Sequence, residues 1–211
     1  SSSVGAVLRP GASLALLGAT ADELAGQHTR LSELIGATAA RCLVERLAAS
    51  PSPDHRAALL ESFLTERLLA NRWRGPFIPG IDNWFDTPTD VGTAVAQSGI
   101  SHRHFNQRFK RLAGLSPKVY QRVRRLQPAL AQLHARPDVA LVDLALASGF
   151  ADQAHFQREF RSVFGLTPLT YRRRTPRESH HVACVEPALE VKNLQYDVGQ
   201  WAAHCVLNAT L

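Results

Sequence analysis

Cysteine is scarce in this 211-residue chain. Cys42, Cys184 and Cys205 are too few and too scattered for a disulfide framework, which points to a reducing, cytoplasmic setting. No apolar run approaches the roughly eighteen residues of a membrane-crossing helix, so the sequence excludes a membrane span. Residues 1–10 lack a basic start followed by an apolar core and do not read as a secretory signal. Glycine-rich phosphate loops are missing too, since Arg74-Gly75-Pro76 and Leu17-Gly18-Ala19 read as turns. Acidic residues are thin where basic ones gather. Residues 87–175 hold fourteen Lys and Arg against five Asp and Glu, a net +9, whereas the rest of the chain sums to −3. The overall +6 and pI near 9.8 therefore belong to one region, and that region suits an anionic partner. Hydrophobic residues at 45% and charged residues at 20% are ordinary globular values, and the length suits one or two domains.

Residues 1–36 are rich in small side chains and weakly patterned, with a short strand expected at residues 4–8 before the Arg9-Pro10-Gly11 turn. A helix over 38–49 carries Leu43, Val44 and Leu47 on one face. Ser50-Pro51-Ser52-Pro53 breaks it, and a second helix over 54–70 carries Leu60, Phe63, Leu64 and Leu68. Residues 71–88 contain Pro76, Pro79, Pro88, Gly75 and Gly80 and read as a linker or wrapped loop. Trp73, Phe77, Trp84 and Phe85 suggest that it packs onto something. Residues 175–211 show no clear period, and Trp201 is their only large apolar anchor.

An internal repeat carries the main signal. Gly99 matches Gly149; after a one-residue insertion Phe105 matches Phe156, Phe109 matches Phe160, Gly114 matches Gly165, and Tyr120 matches Tyr171. Leu115-Ser116-Pro117 matches Leu166-Thr167-Pro168. Each unit reads as helix, turn, helix. Asp90 caps a short helix that Gly99 ends, Ile100 fills the turn, and Ser101 caps a helix burying Phe105, Phe109 and Leu112. In the second unit Leu141, Leu144 and Ala145 precede Gly149, Phe150 fills the turn, and Phe156, Phe160 and Val163 are buried. Arg103, Asn106, Gln107 and Lys110 face out from the first unit; Gln153, Ala154, Gln157, Arg158 and Arg161 face out from the second. Arg suits guanine edges and Asn or Gln suits adenine in the major groove. One such face is commonly just a solvated surface; two in tandem within a +9 region favour DNA.

The run from Ala145 through Ser148-Gly149-Phe150 to His155-Phe156, then Phe160, Phe164-Gly165-Leu166-Thr167-Pro168 and Tyr171-Arg172, resembles the C-terminal signature of AraC/XylS-family transcription regulators. The resemblance covers residues 87–174, a little under half of the chain. It implies a mainly α fold, with two helix-turn-helix subdomains joined by a connector helix over about 117–135, preceded by a small helical pair and short β-strands. Two recognition helices would enter successive major-groove segments about 34 Å apart. By position in the family pattern, Arg103, Asn106 and Gln107 would read bases in the first subdomain and Gln153, Gln157 and Arg158 in the second. His102, Lys110, His155 and Arg161 would contact phosphate. Two departures stand out. Val95 occupies a place where the family favours alanine. Pro128 falls inside the connector, where a kink or a helix starting near Pro128 is expected.

The resemblance also implies domains at 1–75 (a partial effector or dimerisation region), 76–88 (linker), 89–174 (DNA binding) and 175–211 (a loosely held tail). Residues 1–75 are too few for a full sensing barrel. Their helical pair either dimerises or simply packs on its own strand. Expected partners are double-stranded DNA, a small-molecule effector, a second copy of the chain and, for an activator, RNA polymerase; no membrane and no cofactor. His180, His181, Cys184, His204 and Cys205 do not have the spacing of a tight zinc site. A rival reading is a DNA-targeting or protein-interaction module, for example of an alkyl-transfer repair protein. Cys42, beside Arg41, lacks the Pro-Cys-His setting such an acceptor needs, and an enzyme is not expected. Asp82 and Asp86 read as solvated loop carboxylates. Trp73 and Trp84 read as either effector-pocket lining or a covered domain seam.

Overall fold

The computed structural model describes residues 3–71, 76–86, 90–136, 138–174 and 205–210. His180, His181, Cys184 and His204, whose spacing does not suit a tight zinc site, lie outside them, together with Trp73 and Trp201. The elements run β1 (Ser3–Leu8), α1 (Ala12–Leu17), α2 (Ala21–Leu24), α3 (Leu31–Ile35), α4 (Ala37–Ala48), α5 (Pro53–Ala70), α6 (Ile81–Asp86), α7 (Val91–Ser98), α8 (His102–Ala113), α9 (Pro117–Ala135), α10 (Leu141–Ala147), α11 (Gln153–Phe164), α12 (Pro168–Arg174) and β2 (Cys205–Thr210). The fold is mainly α, as the repeat and its resemblance imply.

Two apolar cores form. The N-terminal core gathers Leu8, Leu16, Leu17, Leu43, Leu47 and Leu60. The leucines of α4 and α5 thus meet β1 and α1. At the end of α5, the Arg67 Nε–H donates to the Leu16 carbonyl at 2.6 Å and the Asn71 side-chain amide donates to the Ala15 carbonyl at 2.6 Å. Ser52 caps α5 by accepting from the His55 amide, and Pro53 occupies its first turn, where a missing N–H costs nothing. Val44 and Leu68 belong to the expected apolar stripes but stay largely exposed. β1 pairs antiparallel with β2, Ser3 opposite Thr210 and Leu8 opposite Cys205. Residues 205–210 of the tail read as loosely held therefore form a strand, which no local pattern announces.

The second core is continuous from Ile78 to Tyr171. It takes in residues 78–85 of the stretch read as a linker or wrapped loop that packs onto something. Ile78, Ile81, Trp84 and Phe85 are all buried, and Trp84 meets the Phe109 ring edge-on at 5.1 Å and the Tyr120 ring at 5.5 Å. These residues form one layer of the core that the tandem repeat builds. Phe77 beside it is 60% exposed.

Pro128 does not start a helix. α9 runs for 19 residues with Pro128 in its interior and exposed to solvent. The proline removes one backbone hydrogen bond. Burial on either side of it holds the helix together: Tyr120, Val123 and Leu126 precede it, and Ala129, Leu130 and Leu133 follow, each at most 1% exposed. Val95 is accommodated half-buried at the edge of the core, while Ala145 at the matching place is fully buried.

The two halves touch through the end of α8. α2 packs against α8, and the Gly11 N–H donates to the Leu112 carbonyl at 2.8 Å. A Cβ on Gly114 would stand 3.0 Å from the Ala21 carbonyl oxygen, so the close approach and the positive φ of 75° both call for glycine there.

The burial pattern sets a test of this packing. Trp84→Ala should destabilise the chain by about 3–5 kcal/mol in chemical denaturation. Phe77→Ala should change it by no more than about 0.5 kcal/mol. Equal small effects would count against this packing.

Candidate nucleic-acid interface

The site is built twice with closely similar local devices, although α10, unlike α7, starts without a side-chain cap. Asp90 caps α7: its carboxylate accepts from the Gly92 and Thr93 amides and from the Thr93 hydroxyl. Those hydrogen bonds, the Thr93 side chain's first, hold the Asp90 carboxyl below its ordinary value of 3.8. Gly99, at φ 68°, turns the chain into the Ser101 cap of α8, where Ser101 Oγ accepts from the His104 amide at 3.4 Å. In the second unit Gly149, at φ 72°, turns the chain into the Asp152 cap of α11, where Asp152 Oδ1 accepts from the His155 amide at 2.6 Å. Both helices are 12 residues long. Both end on a left-handed glycine whose N–H donates 2.8 Å to a carbonyl four residues back, Gly114 to Lys110 and Gly165 to Arg161. The helices are therefore in register residue by residue, at an offset of fifty-one.

The inner faces are aromatic. Phe105 and Phe109 stack at 6.0 Å, and Phe109 meets Tyr120 edge-on at 5.4 Å. In the second unit Phe160 contacts Phe156 at 5.7 Å, Phe164 at 4.6 Å and Tyr171 at 5.8 Å. Burial of Tyr171 raises its phenol pKa. With these rings inside, the outer faces present polar and basic groups. Arg103, Gln107 and Lys110 on α8 and Gln153, Arg158 and Arg161 on α11 are exposed. None of the six makes a side-chain hydrogen bond or ion pair among the described residues.

The remaining expected contacts are more constrained. Asn106 is half-buried, and its amide lies 2.9 Å from the Nδ1 of exposed His102. Gln157 is half-buried. His155 is half-buried, with its ring edge-on to Phe150 at 5.3 Å, so it helps hold the turn. His104, its partner in the register, is exposed and was not singled out from sequence; counting at the fifty-one-residue offset would have found it.

Sequence reasoning also missed how the rear of each helix is fixed. The matched positions are Arg108 on α8 and Glu159 on α11. The Arg108 guanidinium donates to the Phe77 carbonyl at 2.9 Å. Glu159 instead receives the Nε–H of Arg122 on α9 at 2.6 Å, and Arg122 also donates to the Ser162 hydroxyl. Arg125, one turn on, donates to the Gly149 carbonyl and lies 4.0 Å over the Phe150 ring. The acidic side chain of α11 is thus tied to the connector, and the outward face stays free of negative charge. Lys110, Arg111 and Arg161 lie in the last turns, where the helix dipole favours cations.

Among the described residues no helix is long and apolar enough to cross a membrane, and no group of three His, Cys, Asp or Glu could hold a metal ion. The described free cysteine, Cys42, is exposed on α4.

Two capped helix-turn-helix units, each with a basic, amide-rich outer face and both seated on one connector, define a tandem DNA-binding domain. Residues 95–174 match the family model of a helix-turn-helix domain. The chain is 37% identical over 82 residues to the probable transcription factor PqrA of Proteus vulgaris, covering 39% of this chain and 66% of that protein. It is 34% identical over 95 residues to the transcriptional regulator Rob of Salmonella typhimurium, covering 44% and 32% of the two chains. It is 27% identical over 154 residues to the HTH-type transcriptional regulator GlxA of Rhizobium meliloti, covering 70% and 45%. The chain belongs to the AraC/XylS family of transcription regulators. It spans between about a third and two thirds of the length of these curated relatives.

Two measurements check the local architecture. The Arg122 and Glu159 side chains are each about a third exposed. A double-mutant cycle with Arg122→Ala and Glu159→Ala should therefore give a favourable coupling of about 0.2–1 kcal/mol that shrinks in high salt; zero coupling would remove this anchor. For Asp90 the depressed folded-state pKa fixes the sign. Its contribution is complete above the unfolded value and is lost as pH falls through the folded one. The stability gap between the native chain and Asp90→Asn should close as pH drops below 3.8.

Proposed function

We propose that this protein is a sequence-specific, non-catalytic transcription regulator that reads two successive major-groove segments of double-stranded DNA with α8 and α11. The observation that carries the proposal is the repeated register: two helices of equal length with side-chain N-caps and left-handed glycines at matched positions, each burying phenylalanines and exposing basic and Gln side chains. In this reading Arg103, Asn106, Gln107, Gln153, Gln157 and Arg158 contact base edges, and His102, Lys110, His155 and Arg161 contact phosphates. The +9 charge of residues 87–175 supports the phosphate part, because each neutralised phosphate releases a counterion. The relatives bearing the same domain are named as regulators, which favours regulation over the repair alternative.

The regulatory role is assigned to the N-terminal unit. Between β1 and α5 it holds a cleft of about 270 Å³, lined by Gly5, Ala6, Leu16, Leu60, Leu64 and Leu68 among others. That volume falls just below the roughly 300–1,000 Å³ of usual ligand sites and suits only a very small apolar effector. Dimerisation through α4 and α5, contact with RNA polymerase as an activator and a cytoplasmic location complete this reading.

Selection of bound duplexes from a random pool, using the whole chain near physiological salt, tests it. The expected motif has two elements about one helical turn apart. Arg158→Ala should then lose about 1–3 kcal/mol of discrimination at one or two base pairs. Lys110→Ala should weaken binding to all sequences alike and lower the salt slope by about one. Uniform effects from both changes would remove the division into reading and phosphate roles, and no enrichment would remove the regulator reading.

A further inference from the structure

The register between α8 and α11 assigns a reading role to a residue that hydrogen-bonding arguments overlook. Counting from the matched caps Ser101 and Asp152, Arg103 corresponds to Ala154, Gln107 to Arg158 and Lys110 to Arg161. These three positions follow one another at i, i+4 and i+7, so they share one line along the helix. The line runs opposite the buried face: Phe105, Phe109 and Leu112 on α8, Phe156 and Phe160 on α11. Position 103 or 154 is the first of the three, in the opening turn of its helix. In a helix-turn-helix the N-terminal residues of the recognition helix come nearest the base edges.

The two units put opposite chemistry at this place. Arg103 is exposed and makes no side-chain bond among the described residues, which leaves its planar fork available for the two acceptors of a guanine. Ala154 is likewise exposed, and its side chain is a single methyl group. Nothing polar on the edge of a base can be satisfied by it. The complementary group in the major groove is the thymine 5-methyl, the one apolar feature the bases display there. The neighbours sharpen the contrast. Gln107 on α8 faces Arg158 on α11 in the register, so the guanine-seeking group moves one turn further along the helix in the second unit.

We propose that Ala154 is a specificity-determining residue that packs on a thymine methyl. The two halves of the preferred site then differ at this step, with guanine opposite Arg103 and thymine opposite Ala154. The site is accordingly a pair of unlike elements and not a direct repeat, although the protein itself is a repeat. This inference rests on the DNA-reading role proposed above.

The test uses the whole chain and three proteins: unaltered, Ala154→Arg and Arg103→Ala. Position 154 is exposed and helical, and arginine is a good helix former, so the variant should fold normally. Each protein selects duplexes from the same random pool at the same salt. The two variants are expected to alter different elements. Ala154→Arg should replace thymine by guanine at one position, with a preference of about 5- to 150-fold. Arg103→Ala should lose guanine in the other element. The best duplex of the unaltered chain is then remade with uracil for that thymine, which removes only the methyl. Binding should weaken about fourfold for the unaltered chain and should not change for Ala154→Arg. An unchanged second element with Ala154→Arg, or no cost of uracil at any thymine of that element, would overturn the inference while leaving the regulator reading intact. A pool with no two-element motif for the unaltered chain would overturn both.

Discussion

The packing of α9 is the constraint on which the DNA-binding half depends. One helix buries Tyr120, Val123, Leu130 and Leu133 within a single uninterrupted cluster that also holds the phenylalanines of both units. A side chain of this size contributes about 1.5–3 kcal/mol when fully buried. Those contributions outweigh the single hydrogen bond that Pro128 removes. The connector also does more than hold the units at a distance. Through Arg122 and Arg125 it grips the rear of α11 and the turn before it. α8, in contrast, is gripped from outside the repeat, by the Phe77 carbonyl and by the N-terminal unit. Two units of common design are thus aimed by different neighbours.

Legibility in the sequence followed the range of the interactions. Each helix-turn-helix is fixed by local chemistry: a capping Asp or Ser, a glycine that accepts a positive φ, and phenylalanines four apart. All of that is visible in a row of letters, and α7, α8, α10 and α11 were expected where they occur. α6 was hidden because proline and glycine flank it and a six-residue helix shows barely two turns of periodicity. The aromatic residues gave a better clue than the propensities there, since Trp84 and Phe85 needed a partner and found Phe109. α1, α2 and α3 escaped notice for the same reason of length. β2 escaped because its partner β1 lies at the other end of the chain, and no local pattern records such a pairing.

The candidate site was legible in composition but not in detail. The outward Arg and Gln residues could be listed from periodicity. The restraint on Asn106 by His102, the use of His155 against Phe150 and the pairing of Glu159 with Arg122 needed coordinates. Each depends on a rotamer or on a second element. The residue correspondence between the units, by contrast, was written in the repeat itself, yet it becomes decisive only once equal helix lengths and matching caps remove the ambiguity of the one-residue insertion.

The hydrogen bond from Gly11 to Leu112 gives the boundary between the halves a particular meaning. The last carbonyls of any helix lack partners within it. One of those of α8, at Leu112, is completed by the amide of Gly11 in the N-terminal unit. The final turn of a DNA-facing helix is therefore not a property of its own domain. Were the N-terminal unit to separate from α8, that carbonyl would have to turn to water, so order at the tip of α8 and closure of the two halves are coupled through one hydrogen bond.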